Sequence, residues 1–172
     1  MIPNRTWRRT AVGTVLAADL VVLLAAGAGL PAFAPIALGV LVVTTLWALA
    51  QPGGWGAFAL LLAQLLCVAV PGGVPTTVLD WALAAAAAAA VITTHLALTL
   101  LGSWPAGADL APDTARRWVQ QAASLVWAGI TAAVIGALAT RTPEGWGPWL
   151  GALALGFVGV LVWQVRAFTR RA

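Results

Sequence analysis

Apolar residues fill six long runs, at about 12–30, 35–50, 55–70, 78–101, 118–140 and 149–168, and nearly all charged residues sit in the gaps between them. No run alternates with the period of two that a membrane β-strand requires, and only helices or closed barrels satisfy every backbone N–H and C=O in hydrocarbon. The pattern predicts an all-α fold: a polytopic transmembrane helical bundle of six helices. Proline and glycine punctuate it. Leu30-Pro31 closes the first run, Pro52-Gly53-Gly54 parts the second from the third, and Pro71-Gly72-Gly73 follows the third. Thr77-Val78-Leu79-Asp80 has the spacing of a capping box, which gives Asp80 a structural task at the start of the fourth helix. Asp113 is placed to cap the fifth.

The second and third runs are the short ones. Each has roughly 16 residues, ~24 Å at ~1.5 Å per residue, against a hydrocarbon layer of ~30 Å. They cross with local thinning and help from flanking residues, or they form a re-entrant hairpin over 35–70, entering from the outer side with Pro52-Gly53-Gly54 at its tip. The second reading leaves four spans. Both keep an even number of crossings, so charge does not separate them.

Composition agrees with the pattern. The chain is 62% hydrophobic with a mean hydropathy of +0.95, whereas an ordinary soluble domain is ~45–50% apolar. No polar stretch is long enough for a separate soluble domain of ~50 residues, so residues 1–172 are expected to be one integral membrane domain. Nine arginines stand against five acids, spread over chain ends and loops rather than gathered as a nucleic-acid footprint. Their distribution is topological. With the amino terminus in the cytoplasm, Arg5, Arg8, Arg9, Arg116, Arg117, Arg166, Arg170 and Arg171 lie inside and only Arg141 outside. Both termini are then cytoplasmic, in a bacterial inner membrane. On this map Trp7, Trp47, Trp55, Trp104, Trp118 and Trp163 lie near the inner interface, Trp81, Trp146 and Trp149 near the outer, and only Trp127 at mid-span. Ala32-Phe33-Ala34 imitates a signal-peptide cleavage site, but Asp19 interrupts the apolar core and Pro35 would follow the cut, so the first run is read as an uncleaved span.

The chemical inventory is small. There is no phosphate loop, no H-E-x-x-H, no C-x-x-C and no nucleophile elbow. The chain has one His, one Glu and no Tyr, so no enzyme, cofactor or metal site is expected. Cys67, the single cysteine, is read as a buried packing residue. Asp19, Thr44, Thr45, Thr93, Thr94, His95, Ser124 and Gln164 fall in the cytoplasmic half of the spans, with Gln64 near the middle. They form either a polar pocket opening inward or hydrogen-bonded glue between helices. Asp19 lies ~10 Å into the first helix and His95 ~9 Å into the fourth from the same side. An ionised carboxylate in hydrocarbon is strongly disfavoured. The two are therefore expected to form an intramembrane polar pair, with the first and fourth helices in contact; the alternatives are a neutral Asp19 bonded to a Thr or facing a water-filled vestibule, and a packing His95 hydrogen-bonded across helices. Gln120, Ser124, Trp127 and Thr131 share one face of the fifth helix. Ala128, Ala132, Gly136 and Thr140 recur every four residues there, and Gly147-x-x-x-Gly151 opens the sixth; such small-residue faces suit the hairpin of helices five and six, then a homo-oligomer contact. Residues 102–115 are expected to be a cytoplasmic loop without a regular domain, a solvated connector or docking surface, followed by Arg116 and Arg117, which meet lipid headgroups or a partner.

Thr94-His95-Leu96-Ala97-Leu98, Ser103-Trp104-Pro105 and Arg116-Arg117-Trp118 resemble small uncharacterised polytopic membrane proteins of high-GC actinobacteria, some encoded near MoxR-type ATPase genes. These stretches cover a minority of the chain and carry over no functional residues. Two functions stand open. One is a non-enzymatic membrane subunit that anchors or assembles an envelope complex, with the bilayer and other membrane or cytoplasmic-face proteins as partners. The other is a small transporter, or the substrate-binding membrane component of one.

Overall fold

The computed structural model of the chain describes residues 1–71, 75–105 and 107–139. Among these, five α-helices follow one another: α1 (Asn4–Gly29), α2 (Ala34–Ala50) after a 3-10 turn at Pro31–Phe33, α3 (Trp55–Ala69), α4 (Val78–Ser103) and α5 (Pro112–Ala139). The expected sixth helix at 149–168 lies outside the described residues, as do Thr140, Arg141, Trp146, Gly147, Gly151, Trp163, Gln164, Arg166, Arg170 and Arg171. Among the described residues four helices are long and apolar enough to cross a membrane, and α3 is shorter.

Each helix buries one stripe, and the stripes consist largely of small residues. In α1 it runs Trp7, Ala11, Val15, Ala18, Val22, Ala26, and in α2 Ala37, Leu41, Thr45, Ala48. In α3 it is Gly56, Leu60, Ala63, Gln64, Cys67, and in α4 Ala87, Ala90, Thr94, Ala97, Leu98, Leu101. Steps of three and four hold one face of an α-helix, and small side chains on that face let backbones approach closely. The alanine run in α4 thus supplies packing surface to the core through Ala87 and Ala90. Large apolar residues point the other way: Leu20 is 57% exposed, Val43 and Leu46 66%, and Leu79 67%. Water would penalise such a contiguous surface, and lipid does not. The small-inside, large-outside arrangement is that of a membrane bundle.

Helix α4 is the hub. α1, α3 and α5 all pack on it, while α2 and α3 form a hairpin laid against α1. Two glycines fix the hairpin. A Cβ at Gly56 would lie 2.6 Å from the Trp47 carbonyl oxygen, and one at Gly102 would lie 2.9 Å from Gly53 Cα. So α2 and α3 touch backbone to backbone just past their turn, and the turn rests on the last residues of α4. The Pro52–Gly54 tip therefore reaches the level at which α4 ends.

Several local expectations hold. Thr77 Oγ1 accepts from Asp80 N at 3.1 Å while the Asp80 carboxylate accepts from Thr77 N at 2.8 Å, a complete capping box. Cys67 is buried, 2% exposed. Others need correction. Asp113 stands inside the first turn of α5 behind Pro112, where it faces the positive helix end as a charge rather than as the cap. Gly136 packs on the Trp81 ring of α4, so that part of the small-residue stripe serves the α4–α5 contact. Trp7 is no lipid-belt residue: it is buried, 4% exposed, and its indole N–H donates to the Ala108 carbonyl at 3.2 Å.

Gly56→Ala should destabilise the bundle by about 1–3 kcal/mol, since the added carbon meets backbone that no rotamer change can clear. Gly39→Ala, with open space around it, should be neutral or stabilising by up to ~1 kcal/mol. Thermal unfolding in detergent distinguishes the two; equal midpoints would refute the close α2–α3 contact.

Candidate functional site

One polar position interrupts or flanks the small-residue stripe of each of four helices, and the four meet. Thr45 of α2 stands between Leu41 and Ala48, Gln64 of α3 between Leu60 and Cys67, and Thr94 of α4 between Ala90 and Ala97. Asp19 of α1 follows the buried Ala18. Thr45 Oγ1 donates to Asp19 Oδ2 at 2.6 Å, and Gln64 Nε2 donates to Asp19 Oδ1 at 2.8 Å and to Thr94 Oγ1 at 3.0 Å. Thr45 is 4% exposed, and Gln64 and Thr94 are 0%. Asp19 is only partly enclosed and forms the open edge of the cluster. The carboxylate thus takes two hydrogen bonds, one from each helix of the hairpin. The alanine-lined core leaves Gln64 room to reach it.

The balance is incomplete. Gln64 Oε1 is buried and has no hydrogen-bond partner, and Asp19 forms no ion pair among the described residues. An orphaned buried acceptor costs ~1–3 kcal/mol. Interhelical hydrogen bonds in membranes contribute ~0.6 kcal/mol each on average and up to ~1.7. Three such bonds against one orphan leave a cluster whose specificity exceeds its net stabilisation.

The expected Asp19–His95 pair is not what the bundle makes. α1 and α4 do pack together, but the residue that α4 turns inward is Thr94. One residue further, ~100° around a helix of 3.6 residues per turn, His95 is exposed and makes no side-chain hydrogen bond among the described residues. It lines an open groove of about 480 Å³ between the hairpin tip and the end of α4, with Pro52, Gly53, Phe58, Leu98 and Gly102. Nor is it the packing histidine otherwise expected. The signal was present in the spacing: Ala87, Ala90, Thr94, Ala97 and Leu101 form a three–four stripe that His95 does not join. Most remaining hydroxyls serve their own helices, as in Thr44 to Val40 O at 2.8 Å, Thr93 to Ala90 O at 2.9 Å, Ser124 to Gln121 O at 2.9 Å and Thr131 to Trp127 O at 2.9 Å. Trp127 is 67% exposed, so the polar face proposed for α5 points away from the described bundle.

A second feature lies at the end of the bundle that holds the amino terminus. Ile2 and Leu110 form an antiparallel bridge with N···O distances of 2.8 and 2.9 Å. Asn4 N donates to Asp109 Oδ1 at 2.9 Å, beside the Trp7–Ala108 bond, and Leu110 is 3% exposed. The stretch expected to be a solvated connector is therefore bound to the chain's start. Arg5 and Arg9 on α1 and Arg116 and Arg117 on α5 are exposed at this end, and the Arg8 guanidinium lies 5.5 Å from the Trp7 ring centroid. Among the described residues none of the five forms an ion pair. Trp118 anchors the start of α5, its indole N–H donating to Leu96 O at 3.1 Å.

No family model, curated protein or solved structure matches this chain.

His95→Gln should leave the unfolding midpoint in detergent unchanged within ~0.5 kcal/mol, as surface substitutions do. Gln64→Ala should cost about 2–4 kcal/mol, through a cavity and two lost donor bonds. The reverse order would return His95 to the core.

Proposed function

We propose that this chain is a non-enzymatic integral membrane subunit that anchors or assembles an envelope complex from its cytoplasmic face. The observation that supports this reading most is the closed end of the bundle. There the amino-terminal segment and the α4–α5 connection are hydrogen-bonded to one another, and five arginines stand around them that form no ion pair among the described residues. A loop serving only to join two helices has no need of a buried Leu110 or of Trp7 clamped on its backbone. A rigid basic platform beside the membrane has the form of a docking face, because its groups are ordered before a partner arrives. Orientation follows the arginine distribution: the platform is cytoplasmic, the hairpin of α2 and α3 crosses the membrane, and a sixth helix returns the carboxy terminus to the same side. The likeness to small actinobacterial membrane proteins encoded near MoxR-type ATPases fits a partner on that face.

A small transporter is the second reading, supported by the buried polar cluster around Asp19. Intramembrane carboxylates mark ion and substrate pathways often enough to keep it open.

Purification in mild detergent is expected to recover a stoichiometric partner. Replacing Arg8, Arg9, Arg116 and Arg117 together by Gln should release it without altering the unfolding midpoint. A solitary protein across several detergents would overturn the anchoring reading. Orientation has its own check: in a Cys67→Ala background, Ser103→Cys should resist membrane-impermeant thiol reagents in intact cells and react in inverted vesicles. Labelling in intact cells would invert the topology.

A further inference from the structure

We propose that the apolar run at 149–168 seats as a helix on the face of α4 that carries His95, fills the groove between α4 and the tip of the α2–α3 hairpin, and sets Gln164 beside His95. The face itself comes first. Elsewhere the bundle turns large apolar side chains outward, as at Leu20, Val43 and Leu46. On α4 the exposed positions Ala88, His95, Thr99 and Gly102 are small or polar, and steps of seven, four and three hold them on one side of the helix. Lipid suits such a side poorly. An imidazole in hydrocarbon is costly without a hydrogen-bond partner, and small residues are what helices in lipid place where a neighbour packs. The side is bounded by the hairpin, through the approach of Gly53 to Gly102, and by α5, whose Trp118 indole donates to Leu96 O at 3.1 Å. Between them the groove of about 480 Å³ reaches from Pro52 and Ser103 to Leu61 and His95, and no described helix lies across it.

The chain beyond Ala139 matches this face in length, direction and chemistry. The run holds 20 residues, ~30 Å at ~1.5 Å per residue, a full hydrocarbon layer. α5 ends at the level where α4 begins, with Gly136 against Trp81, and nine residues, 140–148, separate it from the run. The run therefore starts near the first turns of α4 and proceeds parallel to it, antiparallel to α3 and α5. Aligned with 78–101 at their starts, 149–168 sets Gln164 level with Thr93; aligned at their ends, level with Ala97. His95 lies midway. Apart from its tryptophans the run has polar groups at Gln164 and Arg166 alone, and an amide both donates and accepts, so it can meet either ring nitrogen. Ala152, Gly156, Val160 and Gln164 recur every four residues, so a helix there offers one ridge, small in its outer half, to the side of α4 that carries Ala88. An acyl chain brings no polar group to the depth of His95. A second copy would compete with a segment already tethered to α5.

The test is oxidative cross-linking of the full-length chain in native membranes, in a Cys67→Ala background. Thr99 and Phe168 each lie four residues beyond His95 and Gln164, so Thr99→Cys with Phe168→Cys should form a disulfide within one chain in most molecules, identified by mass spectrometry of linked peptides from the monomer. Trp47→Cys with Phe168→Cys, on the exposed side of α2, should give little or none. His95→Gln keeps a donor and an acceptor for Gln164 and should leave the Thr99–Phe168 yield intact, whereas His95→Leu should lower it; equal yields overturn the pairing. A disulfide joining two copies, found on mixing singly substituted chains with different tags, gives the face to a second copy and overturns the proposal. No disulfide in either arrangement leaves the face to lipid and overturns it too. Should the paired variant fail to accumulate, benzoylphenylalanine at Thr99 decides: photo-attachment to 149–168 of the same chain supports the proposal, and attachment to lipid or to another copy overturns it. The proposal rests on the topology of the anchoring reading, in which the carboxy terminus returns to the side where α4 ends. A partner recovered with a chain that does not cross-link would leave that reading standing and this one refuted.

Discussion

Close approach of helix backbones is the constraint from which the rest of this structure follows. In lipid the burial of a leucine yields no hydrophobic gain, because the alternative surroundings are equally apolar. Helices are held instead by van der Waals contact and by polar groups that find one another, and both require short interaxial distances. The stripe Ala11, Val15, Ala18, Val22, Ala26 on α1 and the stripe Ala87, Ala90, Thr94, Ala97 on α4 provide them, as do Gly56 and Gly102 at the two contacts of the hairpin tip. Helices packed this closely leave little internal volume, so a polar side chain in the stripe must be answered by a polar side chain opposite. Asp19, Thr45, Gln64 and Thr94 are that answer, one from each of four helices.

This explains which parts of the architecture were legible in the sequence. Helix positions follow from apolar runs and from Pro and Gly, and those signals are local. The runs at 35–50 and 55–70 match α2 and α3 within a residue or so, and Thr77 to Asp80 closes its capping box as the spacing requires. The polar residues of the cluster were recognisable individually by depth. Their partnership was not, because depth fixes the level of a residue along a helix but leaves the angle around it open. His95 and Thr94 differ in depth by one residue and in direction by ~100°. Chemistry favours the histidine as the mate of a carboxylate, whereas the alanines on either side of Thr94 carry the angular information that points to the threonine. A stripe of small residues is the better guide to the inward face, since it reports what packing demands rather than what chemistry would like.

The platform at the amino-terminal end was legible only in part, for a different reason. Its arginines were read as topological markers, and nothing in the spacing of Pro105, Gly107 and Pro112 indicates that the connection pairs with Ile2 and Asn4. Such contacts join residues about a hundred positions apart, and no periodicity connects them. Hydrophobicity held one hint. Ile2 and Leu110 are isolated apolar residues in otherwise polar or small surroundings, each too far from its nearest run to belong to a span. An apolar residue stranded at a membrane surface has to be covered by lipid or by protein, and here each covers the other.

The two features divide the molecule by physical role. The cluster lies where the dielectric is low, so a single charge there is expensive and its neighbours are selected strictly; one carboxylate, two hydroxyls and one amide leave little freedom for substitution. The platform lies at the end of the bundle, where water and headgroups screen charge over ~10 Å or less, so its arginines tolerate one another with no ion pair among the described residues. Two helices join them: α1 carries Arg5, Arg8, Arg9 and Trp7 at one end and Asp19 further along, and α4 runs from Thr94 to the connection that holds Ala108 and Asp109. Trp7 and Ala18 belong to one buried stripe of α1. The cluster and the Trp7–Ala108 bond are therefore joined by one unbroken helix.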